Sequence, residues 1–179
     1  LDLAGADFTL NTVLDTRRRI ADAFAGELDD AFHAAAQRAA QLTTCPIPQR
    51  ADIVLAGAGG YPLDTTWYQA IKALVAATHG VKQGGTILLA AGLRQGLGSP
   101  DFARLIAQTP DLPTFLEQVQ TPGWFHSEQW ELQEHALAAR RAHIMLYSDG
   151  LPIHEQSRLF VQPVPSIQEG LRLALHRHG

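Results

Sequence analysis

Cysteine is almost missing from these 179 residues, and the single one, Cys45, excludes an internal disulfide and a cysteine-only zinc site. That usage fits a reducing cytoplasm. Long apolar runs are missing too. None approaches the roughly 20 residues that cross a bilayer, and no basic-then-apolar leader pattern opens the sequence. Positive charge is scarce: 14 Lys and Arg stand against 18 Asp and Glu, for a net charge of −4 and a pI near 6.0. A general nucleic-acid binder is therefore excluded. Charged residues are only 18% against 46% hydrophobic, which excludes disorder. Internal repeats, low-complexity segments, long linkers and any His-x-x-His pair are all lacking. The length suits one α/β domain over residues 1–179. The sequence starts on Leu1 and enters a strand pattern within ten residues, so it reads as part of a longer protein.

What is present is organised around residues 51–80. Ile53 to Ala58 is a short apolar run, closed by Gly59-Gly60 and a turn through Tyr61-Pro62 and Asp64. From Thr65 the period changes: Trp67, Ile71, Leu74, Val75 and Thr78 recur at helical spacing. This is a strand, a glycine turn and a helix. In open α/β sheets such a turn lies at the carboxyl edge, where ligands bind. Gly59 and Gly60 permit close backbone approach. The helix N-terminus after them is expected to offer unpaired N–H groups to an anion. Gln69 and Lys72, at i and i+3, share a face distinct from the apolar one. An amide and a cation so placed look like a carboxylate- or phosphate-binding pair.

Before this unit, residues 8–15 and 19–26 predict a β-hairpin, with Phe8, Leu10, Thr12 and Leu14 on one face. A helix follows from Leu28, with Phe32, Ala36, Ala39 and Ala40 able to face a sheet. Pro46 and Pro48 end it. His33 reads as a helix-surface histidine. After the unit, Gly84-Gly85 is expected to turn into the strand GTILLAAG, whose unbroken apolar run suits a parallel strand covered on both faces. Two successive βα units imply a right-handed crossover.

A second glycine loop, Gly92 to Pro100, leaves that strand at the same edge. Its spacing is not GxGxxG, and the loop after Val54-Leu55 lacks the third glycine, so a standard dinucleotide site is disfavoured. Arg94 either contacts an anion or caps its loop. Two short helices should cover the loop, over 99–109 and 112–120. Another begins around Ser127–Gln129 and carries Trp130, which is either core or pocket wall. His126 and His135 are poorly spaced for a metal. Residues 142–148 form a third buried strand, Leu159 to Gln162 a fourth, and Ser166 with Glu169 a capping box for the last helix. The sum is a three-layer α/β sandwich, Rossmann-like, with a mostly parallel sheet, helices on both faces and an N-terminal β-hairpin.

The stretch GGYP followed by YQAxK resembles the C-terminal domain of the nickel-dependent lactate racemase family. FTLNTVLD with RIADAFAGE, PxxADIVL, VKQGGTILLAAG, RQGLGS and SEQW fall in the order and spacing of that family. The resemblance implies the C-terminal domain of a two-domain 2-hydroxy-acid racemase or epimerase. It implies a nickel pincer nucleotide as cofactor, with its attachment lysine, nickel histidine and acid/base histidines on the N-terminal domain. That domain and a small 2-hydroxy acid are the implied partners, with no nucleic acid and no membrane. Gln69 and Lys72 match the family's polar pair and are the catalytic candidates. Tyr68 and Trp130 match pocket residues and, with Gly59, Gly60, Tyr61 and Arg94, are the substrate-binding candidates. The loop Gly92-Leu93-Arg94 departs from the family's acidic-then-cysteine version. A small-anion-binding or interaction domain without catalysis is the alternative.

Overall fold

Period-two alternation at the start of the chain produces the hairpin: β1 (Thr9–Leu14) pairs antiparallel with β2 (Ile20–Gly26). The structure, a computed structural model, describes residues 5–179. They fall into two compact units, up to Ile47 and Pro48–Gly179. In the first, α1 (Leu28–Thr43) packs on the hairpin. The hairpin turn is closed by Asp15, whose carboxylate accepts from the backbone N–H groups of Arg17 and Arg19 and from the Arg19 guanidinium. Glu27 caps α1 by accepting from the N–H groups of Asp29 and Asp30.

The alternation of β1 leaves open which face is covered, and the helix turns a different face inward from the one expected. Val13 is buried at 6% exposure, whereas Phe8 and Leu10 are 68% and 65% exposed. On the helix, Ala31 and Ala35 are buried and Phe32 lies outside. A polar contact accompanies this arrangement. Asp22 is the register partner of Val13, so it shares that face, and its carboxylate holds the Arg38 guanidinium of α1. The helix lies over Val13 and Asp22, and small alanines let it approach. The larger apolar residues of β1 are left on the other side.

In the second unit, β3 (Ala51–Gly57), β4 (Val81–Ala90), β5 (His143–Tyr147) and β6 (Gln162–Pro163) form one sheet in that order, every pair parallel. The helices are α2 (Trp67–Thr78), α3 (Pro100–Gln108), α4 (Leu112–Val119), α5 (Gln129–Arg141), α6 (Ile153–Gln156) and α7 (Ile167–His178). Alternate residues of β4 and β5 enter two cores. Ile87, Leu89, Ile144 and Leu146 join Trp67, Ile71, Leu74, Phe102, Phe115 and Leu132 from the helices on one face. Leu88 and Met145 meet Val164 and Ala174 on the face that α7 covers. The unbroken burial of Gly85 to Leu89 is thus the mark of a central parallel strand between two helical layers, as expected.

Three boundaries differ from the sequence reading. Gly84 and Gly85 lie inside β4, which already starts at Val81. A Cβ on Gly85 would stand 2.7 Å from the Asp52 carbonyl, so only glycine fits where the β3–β4 register shifts. The last strand is not Leu159–Gln162 but Gln162–Pro163, because a 3₁₀ turn runs through Leu159 and Phe160 reverses the chain at φ 57°. Ser127 does not start α5, which follows the left-handed Glu128 without a side-chain cap. Ser166 caps α7 through the Glu169 N–H, but the Glu169 carboxylate turns to Arg172 instead of completing the box.

Candidate functional site

The loops that follow β3 and β4 emerge side by side at the carboxyl edge of the sheet, and they are stitched together. Leu93 N–H donates to the Asp64 carbonyl, Gln95 N–H to Thr65, Trp67 N–H to Gly96 and Tyr68 N–H to Leu97. The Asp64 carboxylate adds a bond from Gly92 N–H at 2.8 Å. This changes the reading of the α2 N-terminus. Gln69 N–H donates to the Thr66 hydroxyl and Ala70 N–H to the Thr66 carbonyl. The first four N–H groups of the helix therefore all have protein partners, and the expected backbone anion site is filled by the chain itself.

Free donors are offered instead by side chains. Lys72 Nζ donates to Gln69 Oε1 at 2.8 Å across one turn of α2. With its oxygen engaged, the Gln69 amide presents its NH₂ group, which has no hydrogen-bond partner among the described residues. The pair so displays an ammonium and an amide donor together, and both are matched to the two oxygens of a carboxylate.

Tyr68 underlies this pair. The Lys72 ammonium stands 5.6 Å from the Tyr68 ring centroid, a cation–π distance. Tyr68 meets Trp130 of α5 edge-to-face at 5.8 Å and Phe102 of α3 at 5.1 Å. Gly98 makes room for it, since a Cβ there would stand 2.9 Å from that of Tyr68. Burial, aided by the Glu128 carboxylate, pushes the Tyr68 phenol up to about 12, so it stays a neutral hydroxyl. Trp130 is 49% exposed, so it is not core, and it lines neither of the two clefts that flank the loops.

Two clefts flank the stitched loops and share Thr65. One, of about 450 Å³, is lined by Tyr68, Gln69, Gln95, Ser99 and Glu128. The other, of about 460 Å³, is lined by Tyr61, Asp64, Arg94, Tyr147 and Asp149. Tyr68, Gln69, Lys72 and Trp130 thus come together, while Tyr61 and Arg94 face the second cleft. Gly59 and Gly60 line neither and hold the turn at φ 88° and 72°. Of the two readings for Arg94, the anion it meets is its own chain's: its guanidinium donates to Asp149 at 3.1 Å, with both side chains exposed.

Sequence reasoning overlooked Glu131 and weighed His135 only as a metal ligand, yet both are buried beneath this site. Glu131 is 1% exposed and His135 is fully buried, one turn apart on α5. Burial pushes the Glu131 carboxyl up to about 7, opposed by Lys72 and reinforced by Glu134 and Glu128. Burial pushes His135 down to about 3; its ring lies edge-to-face on Trp67 at 5.2 Å. The signal was available: Leu132, Ala136 and Ala138 mark the inward face of α5, and positions 131 and 135 lie on it.

The family model of the lactate racemase C-terminal domain matches residues 47–179. The chain is similar to the lactate racemase of Lactiplantibacillus plantarum, 32% identical over 174 residues that cover 96% of this chain and 41% of that protein. The lactate racemase of Thermoanaerobacterium thermosaccharolyticum is 29% identical over 173 residues, with 96% and 40% covered. The solved apoprotein of that organism's lactate racemase superposes with a TM-score of 0.88 at 28% identity, over 97% of this chain and 42% of that one. The chain therefore spans about two fifths of the length of the relatives it matches.

Proposed function

This chain belongs to the lactate racemase family through its C-terminal domain, and we propose that it supplies the substrate-carboxylate side of a 2-hydroxy-acid racemase or epimerase. The observation that carries the reading is the exposed Lys72–Gln69 pair, two donors side by side over an aromatic floor.

Inversion at a secondary alcohol carbon requires that hydride leave from one face and return to the other. The rest of the substrate must stay fixed meanwhile. A carboxylate held by the Lys72 ammonium and the Gln69 amide is pinned at one end, by a charge and by a directional donor. Trp130 and Tyr68 limit where the remaining substituents lie. Tyr68, as a neutral phenol, adds no negative charge against the bound anion.

The family resemblance implies a nickel pincer nucleotide as the hydride carrier, held by the N-terminal domain of the same protein. The described residues hold no group of three or more His, Cys, Asp or Glu side chains able to ligate a metal. The proposed work of this chain's own residues is substrate binding and orientation. The deciding experiment is racemisation of a 2-hydroxy acid by the full-length Lys72→Ala protein. Loss of activity with an unchanged melting temperature is expected; full activity would sink the proposal.

A further inference from the structure

Glu131 has no hydrogen-bond partner for its buried Oε2, which is an uncommon position for a carboxyl group. The residue follows Trp130, whose ring meets Tyr68, and precedes His135, whose ring meets Trp67. Trp67, Tyr68 and Lys72 are all on α2, so Glu131 lies on the α5 face that packs against the helix carrying the clamp. It is buried on the inner side of the aromatic floor, while Lys72 is exposed on the outer side.

The charged groups acting on Glu131 are few. From α2 there is Lys72, and the Tyr68 phenol feels Glu131 in turn. From α5 itself there are Glu128 and Glu134, with His135 held neutral. The other elements packed on α5, namely α3, α4, β4 and β5, contribute no charged group to it. Lys72 is thus the one cation bearing on this carboxyl among the described residues.

We propose that Glu131 is a buried positioning residue for Lys72, acting as the counter-charge of the empty clamp and taking up a proton from solvent when a substrate carboxylate binds. The inference rests on the clamp reading above. Two negative charges then compete for one ammonium. When the substrate carboxylate arrives, Lys72 is compensated from outside, and a second anion beneath the floor loses its attraction. Burial and the Glu128 and Glu134 carboxylates then favour the protonated acid. Because the carboxyl is poised near neutrality, binding and protonation are coupled in the physiological range. The exchange is reciprocal: substrate raises the proton affinity of Glu131, and protonation raises the affinity for substrate.

The test is calorimetric binding of lactate to the full-length protein at pH 6 and pH 8, in buffers of different ionisation enthalpy. Wild type should bind about fivefold more weakly at pH 8 than at pH 6, as a one-unit coupled shift from about 7 requires, and take up about half a proton near pH 7.5. Glu131→Gln, which keeps the shape and loses the charge, should bind with the same affinity at both pH values and without proton uptake. A flat wild-type profile with no uptake overturns the inference, as does a pH dependence that persists in Glu131→Gln. The wild-type proton count stands even if the variant folds poorly. Lys72→Ala separates the two readings: unchanged lactate affinity there, or no lactate binding by wild type, overturns the clamp itself.

Discussion

Lys72 Nζ and Gln69 Oε1 stand 2.8 Å apart, so the lysine orients the amide as well as carrying the charge. This order of dependence, cation first and amide second, governs what substitution should do.

Lys72→Ala in the full-length enzyme should lower kcat/KM by about 10- to 100-fold, the worth of a charge-assisted bond of roughly 1.5–3 kcal/mol. Stability should move by less than about 0.5 kcal/mol, because the side chain is exposed. Steady-state kinetics with a melting curve check both.

Gln69→Glu should be more harmful than Gln69→Ala. The alanine loses one donor, whereas the glutamate pairs with Lys72 and confronts the substrate with a like charge. A larger rise in KM for the glutamate variant, narrowing at high salt, is the expected pattern.

Gly98→Ala should disturb the floor. The residue sits at φ 130°, and its new Cβ would stand 2.9 Å from that of Tyr68. A loss of about 1–3 kcal/mol in urea unfolding is expected. KM should rise more than in a surface control such as Arg104→Ala, because the ring under Lys72 is displaced.

Glu131 and His135 should give opposite pH signatures in stability. The folded carboxyl is raised to about 7 from 4.5, so its presence costs nothing below 4.5, and the folded state loses stability as pH rises from there to 7. Glu131→Gln should therefore melt like wild type at pH 4 and higher than wild type at pH 8, by up to about 3 kcal/mol. The folded imidazole is lowered to about 3 from 6.5, so its neutral burial is cost-free above 6.5 and destabilising as pH falls below it. His135→Phe should therefore gain at pH 5 and not at pH 8. Melting curves across pH 4–8 read both signs.

Residues 48–179 should fold without residues 1–47. Both hydrophobic cores lie wholly within that span. Cooperative unfolding of the expressed segment, monitored by circular dichroism, checks this; a molten segment would refute it.

Much of this architecture was legible in the sequence. β4 announces itself because a central parallel strand needs apolar residues on both faces, while β3, at the sheet edge, was legible only as a short apolar run closed by glycines. Gln69 and Lys72 were legible because i, i+3 spacing fixes a shared face without knowledge of the fold. The hairpin faces were not, because alternation identifies two faces but not the covered one. The structure puts α1 over the face that carries Val13, where Arg38 pairs with Asp22. The short β6 was not legible either, since Leu159 is buried as a strand residue would be yet sits in a 3₁₀ turn. The filled N-terminus of α2 depends on the neighbouring loop, which is distant in sequence and adjacent only in space.

The stitching between the two loops bears on how this edge can diverge. Four main-chain bonds and the Asp64 carboxylate fix the path of residues 64–68 to that of residues 92–97. An insertion in either loop would break the register of the other, so length is a poor variable here. Side chains along the shared seam other than Asp64 are free to differ, since the rest of the seam is made by backbone. Altered substrate preference among relatives of this chain should then arise by residue exchange at positions such as 65, 94 and 95, with both loops conserved in length, and grafting one loop without its neighbour should fail.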